Sequence, residues 1–179
     1  PFTTALEVGA GSGANLSFLS RLLPSCSTVG LERSSARVKA TEHYKLLIQP
    51  FKSTTIIGEY SELSTFAELS HDVVFSCGAL TYVPKDDIED VLRNMVRIAK
   101  KTLVMVELHQ SNPYFPGQSE GIFMASSDLA FGGFWLRDYK AALGKLISES
   151  KITVQKIHNP IWDMAPWREF GSLITVDLS

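Results

Sequence analysis

Short apolar runs alternate along the chain with segments in which apolar residues recur every three or four positions. The first pattern is typical of buried strands and the second of amphipathic helices. Strands are predicted at residues 4–8, 28–31, 53–57, 72–76, 102–108, 152–157 and 172–178. Helices are predicted from the end of the first strand to Pro24, from Ser34 or Ser35 to Pro50, at 85–100 and at 138–149. This alternation predicts an α/β fold built on a parallel sheet.

The last two predicted strands follow one another without a helical pattern between them, so we expect the final strand to run antiparallel beside its predecessor. The helix at 85–100 has the clearest pattern, because acidic residues fill its first turns and basic residues its later ones, which complements the helix dipole. Residues 110–137 follow neither pattern. A loop of that length is usually functional, and we expect it on the substrate side.

Residues 5–16, ALEVGAGSGANL, combine a buried strand, three alternating glycines and the start of a helix. Glycine lacks a Cβ, so it allows a tight turn, a positive φ and the close approach of a ligand to the amides at the helix N-terminus. In an open parallel sheet, ligands bind beyond the C-terminal ends of the strands. Gly9, Gly11 and Ala14 also fit G-x-G-x-x-A, so the glycines alone leave an NAD(P)-dependent oxidoreductase open.

Acidic residues near three strand ends narrow the choice of ligand. Glu7 with the glycines gives E-x-G-x-G-x-G, which resembles the cofactor loop of class I S-adenosylmethionine-dependent methyltransferases. Glu32 ends the second predicted strand and Glu59 follows the third. Residues 75–84, FSCGALTYVP, resemble the segment after the fourth strand in small-molecule methyltransferases. The resemblance covers residues 5–178 and implies a Rossmann-like, doubly wound, mostly parallel seven-stranded sheet with an antiparallel terminal strand.

The resemblance also implies contacts with S-adenosylmethionine. Glu32 could accept hydrogen bonds from both ribose hydroxyls, and Glu59 would reach the adenine amino group. The backbone of Ser76 or Cys77 would meet the amino-acid part. The expected cofactor-binding residues are Glu7, Gly9, Ala10, Gly11, Gly13, Asn15, Glu32, Arg33, Glu59, Tyr60, Ser76, Cys77 and Gly78. The alternative is that the acids are ordinary strand-end or loop residues and that the tyrosines only pack.

An oxygen or nitrogen acceptor must lose a proton during methylation, so a base is expected beside the cofactor. His109 ends the fifth predicted strand, and the usual histidine pKa near 6.5 suits this role, although a structural histidine is the alternative. Aromatic and glycine residues in the 110–137 loop predict a mobile cover, or else a rigid apolar cluster. The substrate-binding candidates are Tyr82, His109, Tyr114, Trp135, Trp162 and Trp167.

Composition limits the partners. With 179 residues, 45% of them hydrophobic, we expect a single domain over residues 1–179, whose natural N-terminal segment is missing. The net charge of -2 gives no bulk attraction to nucleic acid or to an anionic membrane, and no apolar run approaches 18 residues. A cytoplasmic location is therefore predicted. Cys26 and Cys77 lie far from any histidine pattern, so neither a metal site nor a disulfide is expected.

The sequence thus predicts methyl transfer from S-adenosylmethionine to an oxygen or nitrogen of a small-molecule acceptor. Residues 13–16 followed by 30–32 also resemble methylases of sugar and sialic-acid-like biosynthesis, which favours a sugar or related metabolite. A methyltransferase-like domain that binds partners without catalysis is a further alternative.

Overall fold

A computed structural model describes residues 2–47, 53–111, 121–125, 133–158 and 162–179. In these ranges the strands are β1 (Thr4–Val8), β2 (Ser27–Glu32), β3 (Ser53–Ile57), β4 (His71–Cys77), β5 (Ala99–Leu108), β6 (Ile122–Ala125), β7 (Gly133–Leu136), β8 (Ile152–Lys156) and β9 (Gly171–Asp177). The α-helices are α1 (Ala14–Leu22), α2 (Ser35–Leu47), α3 (Ile88–Ile98), α4 (Tyr139–Gly144) and α5 (Ala165–Phe170). Single 3-10 turns are Tyr60–Thr65, Leu80–Tyr82 and Glu149–Lys151.

Within the described ranges, seven strands form one sheet in the order β3-β2-β1-β4-β5-β9-β8. The five strands from β3 to β5 in this order pair in parallel, and β9 runs antiparallel to both β5 and β8. The predicted α/β fold, a mostly parallel seven-stranded sheet with an antiparallel terminal strand, is confirmed. The order of strands reverses beside β1, so β1 and β4 flank the crevice in which such sheets bind ligands.

Alternate residues of the strands supply two faces of the core, because side chains on a strand point to opposite sides of the sheet. Leu6 and Val8 of β1 join the main cluster, which also holds the apolar stripe of α3 and part of α4. Ala5 belongs instead to a smaller cluster with Cys26 and Val73. Glu7, which follows Leu6, therefore points away from the main core.

Two predicted helices are shorter in the structure. The helix predicted at 85–100 begins at Ile88, because the residues before it form a turn in which Asp87 N donates to Pro84 O over 3.2 Å. It ends at Ile98, since Ala99 already pairs with His71 in the sheet. The helix predicted at 138–149 ends at Gly144.

A hairpin and a helix lie where the sequence predicted only irregular chain. Strands β6 and β7 form a hairpin inside the 110–137 loop, with Phe123 opposite Trp135. Helix α5 lies in the connection between β8 and β9. The connection between β3 and β4 contains a 3-10 turn, Tyr60–Thr65, in the place of an α-helix.

Candidate active site

The glycine loop joins β1 to α1 and is tied to the neighbouring strand. Gly9, Gly11 and Gly13 have φ angles of 75°, 57° and 76°, in the left-handed region that favours glycine. The amides of Gly9 and Ala10 both donate to Leu31 O, over 2.8 and 3.0 Å. A Cβ on Gly9 would lie 2.3 Å from the Cβ of Ala79, so no larger residue fits there without displacing the chain after β4.

Glu7 lies beneath this loop with only 1% of its surface exposed. Its Oε1 accepts a hydrogen bond from Asn15 Nδ2 over 2.7 Å, whereas Oε2 has no partner among the described residues. Burial raises the pKa of the Glu7 carboxyl to about 8, and the nearby charge of Glu32 raises it further while Asn15 opposes the shift. A buried polar atom without a partner is costly, so Oε2 is available to a ligand and becomes an acceptor when the carboxyl ionises.

Glu32 ends β2 and contacts the backbone on both sides. Its Oε2 accepts from Gly11 N over 2.9 Å, and its Oε1 accepts from Ser34 N over 2.8 Å. Each carboxylate oxygen can accept a second hydrogen bond, so these contacts leave acceptor capacity toward the crevice. The structure thus brings Glu32 to the glycine loop, as a cofactor site requires.

The end of β4 lies beside Glu7. Ser76 pairs with Val8 in the sheet, and Cys77 is close enough to Glu7 for the two charges to interact. Burial, followed by the charges of Glu107 and Glu7, raises the pKa of the Cys77 thiol to about 11. The thiol is therefore neutral near pH 7 and a weak nucleophile. Gly78 follows with a φ of 65°.

Glu107, near the end of β5, is a site residue that the sequence analysis missed. Its carboxylate is fully buried, and Oε1 accepts from Ser76 Oγ over 2.9 Å and from the amides of Ala79 and Leu80 over 3.1 Å each. Oε2 accepts from Thr81 N over 3.3 Å. Burial raises the pKa of Glu107 to about 7, although these four donors oppose the shift. The signal was an acid near the end of an apolar strand, as with Glu7 in β1.

Arg137, after β7, was also missed. Its side chain is 1% exposed, Nη1 donates to Leu80 O over 2.8 Å, and Nη2 donates to Val83 O. Its guanidinium carbon lies 5.3 Å from the centre of the Trp135 ring. Burial lowers the pKa of Arg137, whereas the charge of Glu107 raises it. The sequence offered no signal for Arg137, because it lies in a stretch without a regular pattern.

The charged residues predicted near the adenine are more exposed than Glu7 and Glu32. Glu59 and Arg33 are exposed, and Glu59 precedes the 3-10 turn Tyr60–Thr65. The hydroxyl of Tyr60 donates to Asp87 Oδ2 over 2.7 Å. Burial and this contact raise the pKa of Tyr60 to about 12. The Tyr60 hydroxyl is thus paired within the protein, and the residue packs against the main core cluster.

His109 is 9% exposed and has contacts at both ring nitrogens. Nδ1 accepts from Tyr139 N over 3.1 Å, so the proton of the neutral ring is assigned to Nε2, which lies 3.3 Å from Ser111 Oγ. Burial lowers the pKa of His109, and Lys140 acts in the same direction while Asp138 opposes it. These contacts stabilise the first turn of α4. The role of His109 as a base stays a prediction. It requires a change in the contacts of the ring nitrogens with Tyr139 N and Ser111 Oγ.

The aromatic candidates divide into two groups. The rings of Trp162 and Trp167 lie 4.4 Å apart, and a Cβ on Gly78 would lie 3.1 Å from the first and 3.3 Å from the second. Tyr82 is half-buried in the same apolar cluster. Trp135 instead packs on Phe123, with ring centres 5.1 Å apart, and its carbonyl accepts from Thr81 Oγ1. Tyr114 lies outside the described residues.

Two features are absent from the described residues. These residues hold no group of three or more histidine, cysteine, aspartate or glutamate side chains that could bind a metal ion. In the same part of the chain, no helix has the length and apolar character needed to cross a membrane.

The sequence matches the model of a known family. A family model described as a methyltransferase domain matches residues 5–102, more than half of the chain. The chain therefore belongs to this methyltransferase family. The predicted class, an S-adenosylmethionine-dependent methyltransferase, is confirmed, and the nicotinamide alternative is set aside. Glu7 Oε2, which has no partner in the described ranges, and the glycine loop fit S-adenosylmethionine as the cofactor.

Solved structures share the fold. The N-terminal domain of EvdMO1 with S-adenosylhomocysteine bound is 17% identical, with a TM-score of 0.69 over 98% of this chain and 74% of that one. A Haloferax volcanii protein in complex with the Trm112 methyltransferase activator is 19% identical, with a TM-score of 0.67 over 98% and 81%. A protein described as a sarcosine dimethylglycine methyltransferase from Galdieria sulphuraria is 23% identical, with a TM-score of 0.52 over 59% and 38%. The chain thus spans well under half of this last structure.

No curated protein matches the chain.

Proposed function

We propose that this protein transfers a methyl group from S-adenosylmethionine to an oxygen or nitrogen of a small-molecule acceptor. The observation that carries the proposal is the packing of Trp162 and Trp167 onto Gly78, directly after the cofactor segment of β4. Aromatic walls at this point exclude water and fit the face of a small ring or an apolar group.

The proposed cofactor contacts follow from unused acceptor oxygens and from the backbone at the end of β4. Glu7 Oε2 is buried and unpartnered within the described ranges, so we assign it to the amino group of the amino-acid part. Glu32 keeps acceptor capacity for the ribose hydroxyls. The backbone of Ser76 and Cys77 faces the same end of the crevice as Glu7, because β1 and β4 are neighbours.

The adenine end is assigned to the residues after β2 and β3. Gly58 N donates to Glu32 O over 3.1 Å, which keeps the start of this segment beside the ribose acid. We assign the exposed Glu59 to the adenine amino group. The ring of Tyr60, whose hydroxyl is held by Asp87, and the exposed Arg33 flank it.

The chemistry is an in-line displacement. S-adenosylmethionine supplies a methyl group on positively charged sulfur, which is a good leaving group. The acceptor lone pair forms the new bond to the methyl carbon, and the carbon–sulfur bond breaks with its electrons going to sulfur. The acceptor proton passes to a base or to water. Positioning of the acceptor by the aromatic residues therefore accounts for most of the rate.

His109 is our candidate for the base. We expect His109→Ala to lose turnover by about 100-fold or more, in the range typical of general bases, while S-adenosylhomocysteine affinity stays within about 2-fold of wild type. Ser111→Ala is the matched control, because it removes the contact at Nε2 and leaves the imidazole in place. Equal turnover in wild type and His109→Ala would exclude the base role.

A sugar or related metabolite is the acceptor we favour. The N-terminal domain of EvdMO1, which shares the fold at a TM-score of 0.69, was also solved in the presence of S-adenosylhomocysteine and D-fucose. The SpnF [4+2]-cyclase shares the fold at a TM-score of 0.67, so the fold alone does not fix the reaction.

The deciding experiment incubates the purified protein with methyl-labelled S-adenosylmethionine and separate panels of sugars, small amines, phenols and transfer RNA. We expect labelled product and S-adenosylhomocysteine only with a small molecule, and loss of both in Glu32→Ala. Methylation of transfer RNA alone would overturn the proposal. Cofactor binding without product from any panel would favour the non-catalytic alternative.

A further inference from the structure

Residues 79–83, here called the post-β4 turn, connect the cofactor segment to the acceptor side of the site. At one end, the Cβ of Ala79 lies 2.3 Å from the position that a Cβ on Gly9 would take. The turn therefore presses directly on the glycine loop. Any shift of the turn would change the space in which the amino-acid part of the cofactor binds.

A single carboxylate holds the amides of this turn. Glu107 accepts from the amides of Ala79, Leu80 and Thr81, and its Oε1 also accepts from Ser76 Oγ. Four donors on one fully buried carboxylate fix both the turn and the end of β4. Charge-assisted hydrogen bonds of this kind are stronger than neutral ones and restrict geometry.

A single guanidinium holds the carbonyls of the same turn. Arg137 donates to Leu80 O and Val83 O, and it too is buried. Thr81 Oγ1 adds a hydrogen bond of 2.9 Å to the carbonyl of Trp135, next to Arg137 along the chain. Two buried side chains of opposite charge thus hydrogen-bond to the turn. Glu107 does so from β5, and Arg137 does so from the residue that follows β7.

We propose that Glu107 is a positioning residue for the cofactor, which sets the post-β4 turn against the glycine loop, and that Arg137 acts on the same turn as its counterpart. The proposal rests on the cofactor contacts assigned under the proposed function. Glu107 has its carboxylate occupied by four protein donors, so its effect passes through the turn and involves no direct contact with the reacting atoms.

The test compares binding of S-adenosylhomocysteine with the free energy of unfolding in the same full-length variants. Glu107→Gln keeps the shape but replaces one acceptor oxygen with an NH2 group that must face a turn amide. We expect its dissociation constant to rise by at least about 10-fold, as measured by calorimetry on the folded protein. Glu107→Asp keeps the charge with a shorter reach, so we expect an intermediate rise.

The matched control is Asp72→Asn at the opposite end of β4. Asp72 is also buried and accepts from Thr3 and Lys101, so its loss lowers stability far from the turn. We expect its dissociation constant to stay within about 2-fold of wild type. A merely structural role for Glu107 would lower stability in the same way and leave the affinity of the folded protein unchanged.

A double variant tests whether both charges act on one turn. If they do, Glu107→Gln with Arg137→Lys raises the dissociation constant by less than the product of the two single effects. An unchanged dissociation constant in folded Glu107→Gln would overturn the proposal. Failure of both Glu107 variants to fold would also overturn it, because Glu107 would then be needed for the fold itself. Failure of wild type to bind S-adenosylhomocysteine would instead reject the assigned cofactor site.

Discussion

Glu7 and Glu107 are both buried acids near the C-terminal ends of parallel strands, and they differ in what their oxygens contact. Glu7 has a single side-chain donor, Asn15, and its Oε2 is unpartnered within the described part of the chain. Glu107 accepts from four donors, three of them backbone amides of one turn. The same residue type therefore has different hydrogen-bonding surroundings at the two positions.

The difference shows how a ligand contact can be told from a structural contact. A carboxylate whose acceptors are all used stabilises the protein that surrounds it. A buried carboxylate with a free oxygen lowers stability until a donor arrives, so its cost is recovered only when a ligand binds. On this basis we propose that Glu7 contacts the cofactor and that Glu107 holds the turn that shapes the cofactor site.

The largest expected effect comes from the same substitution made at both acids. Glu107→Ala leaves four donors of the turn region unpaired, so we expect the free energy of unfolding to fall by about 3 to 5 kcal/mol. Glu7→Ala loses one hydrogen bond and should cost about 1 kcal/mol or less. Chemical denaturation of both variants at pH 7 measures the two values. Equal losses would remove the distinction between the two acids.

A second substitution acts at the contact between the glycine loop and the post-β4 turn. Gly9→Ala places a methyl group against Ala79 and forces a non-glycine residue to a φ of 75°. Overpacking and the left-handed conformation together should lower the free energy of unfolding by about 2 to 4 kcal/mol. Gly11→Ala is the control, since it also has a positive φ, of 57°, and its Cβ position would meet only the end of the Arg37 side chain, at 4.0 Å. A similar loss of stability in both variants would mean that the contact with Ala79 is unimportant.

The pH dependence of stability separates Glu7 from other groups. The pKa of Glu7 rises from 4.5 to about 8 on folding, so the folded protein keeps a proton that the unfolded chain has lost. Stability is therefore highest below pH 4.5 as far as Glu7 is concerned, and it declines until pH passes 8. Between pH 6 and 8 we expect the ligand-free protein to lose about 2 kcal/mol of unfolding free energy.

Glu7→Gln provides the comparison for this effect, because the amide does not titrate. Its unfolding free energy should change less over the same pH range than that of wild type. The remaining slope reports the other groups with shifted pKa values, which are Glu107, whose pKa is raised to about 7, and His71 and His109, whose pKa values are lowered by burial. An identical slope in wild type and Glu7→Gln would show that Glu7 is already ionised in the folded protein.

The smallest expected effect is on cofactor affinity. Glu7→Gln should bind S-adenosylhomocysteine about 10-fold more weakly at pH 8, which corresponds to about 1.4 kcal/mol, because it loses the negative charge that faces the amino group. Calorimetric titration measures the dissociation constant. Glu62→Gln, an exposed change in the 3-10 turn after β3, should leave the constant unaltered. Unchanged affinity in Glu7→Gln would contradict the assignment.

The cofactor half of the fold was largely predictable from the sequence. Glycines that need positive φ, and acids at strand ends, obey local rules, so the glycine loop could be named from sequence spacing, and Glu7 and Glu32 from spacing together with the family resemblance. The antiparallel terminal strand was also predicted, from two strand patterns with no helical pattern between them, although the structure has the short helix α5 in that connection.

The acceptor half was less predictable for physical reasons. The β6–β7 hairpin pairs across a segment without strand alternation, and α5 has only six residues. The role of Arg137 depends on carbonyls more than fifty positions away along the chain, which no local pattern records. Glu107 carried the same signal as Glu7, an acid near the end of an apolar strand, and could have been found by that comparison.

The most direct test of the different roles proposed for Glu7 and Glu107 is the number of protons exchanged when S-adenosylhomocysteine binds at pH 7. Calorimetry in buffers with different ionisation enthalpies measures this number. Glu7 is mostly protonated in the ligand-free protein and should ionise against the bound amino group, so we predict release of close to one proton in wild type and far less in Glu7→Gln. Equal proton release in wild type and Glu7→Gln, or none in wild type, would contradict the account.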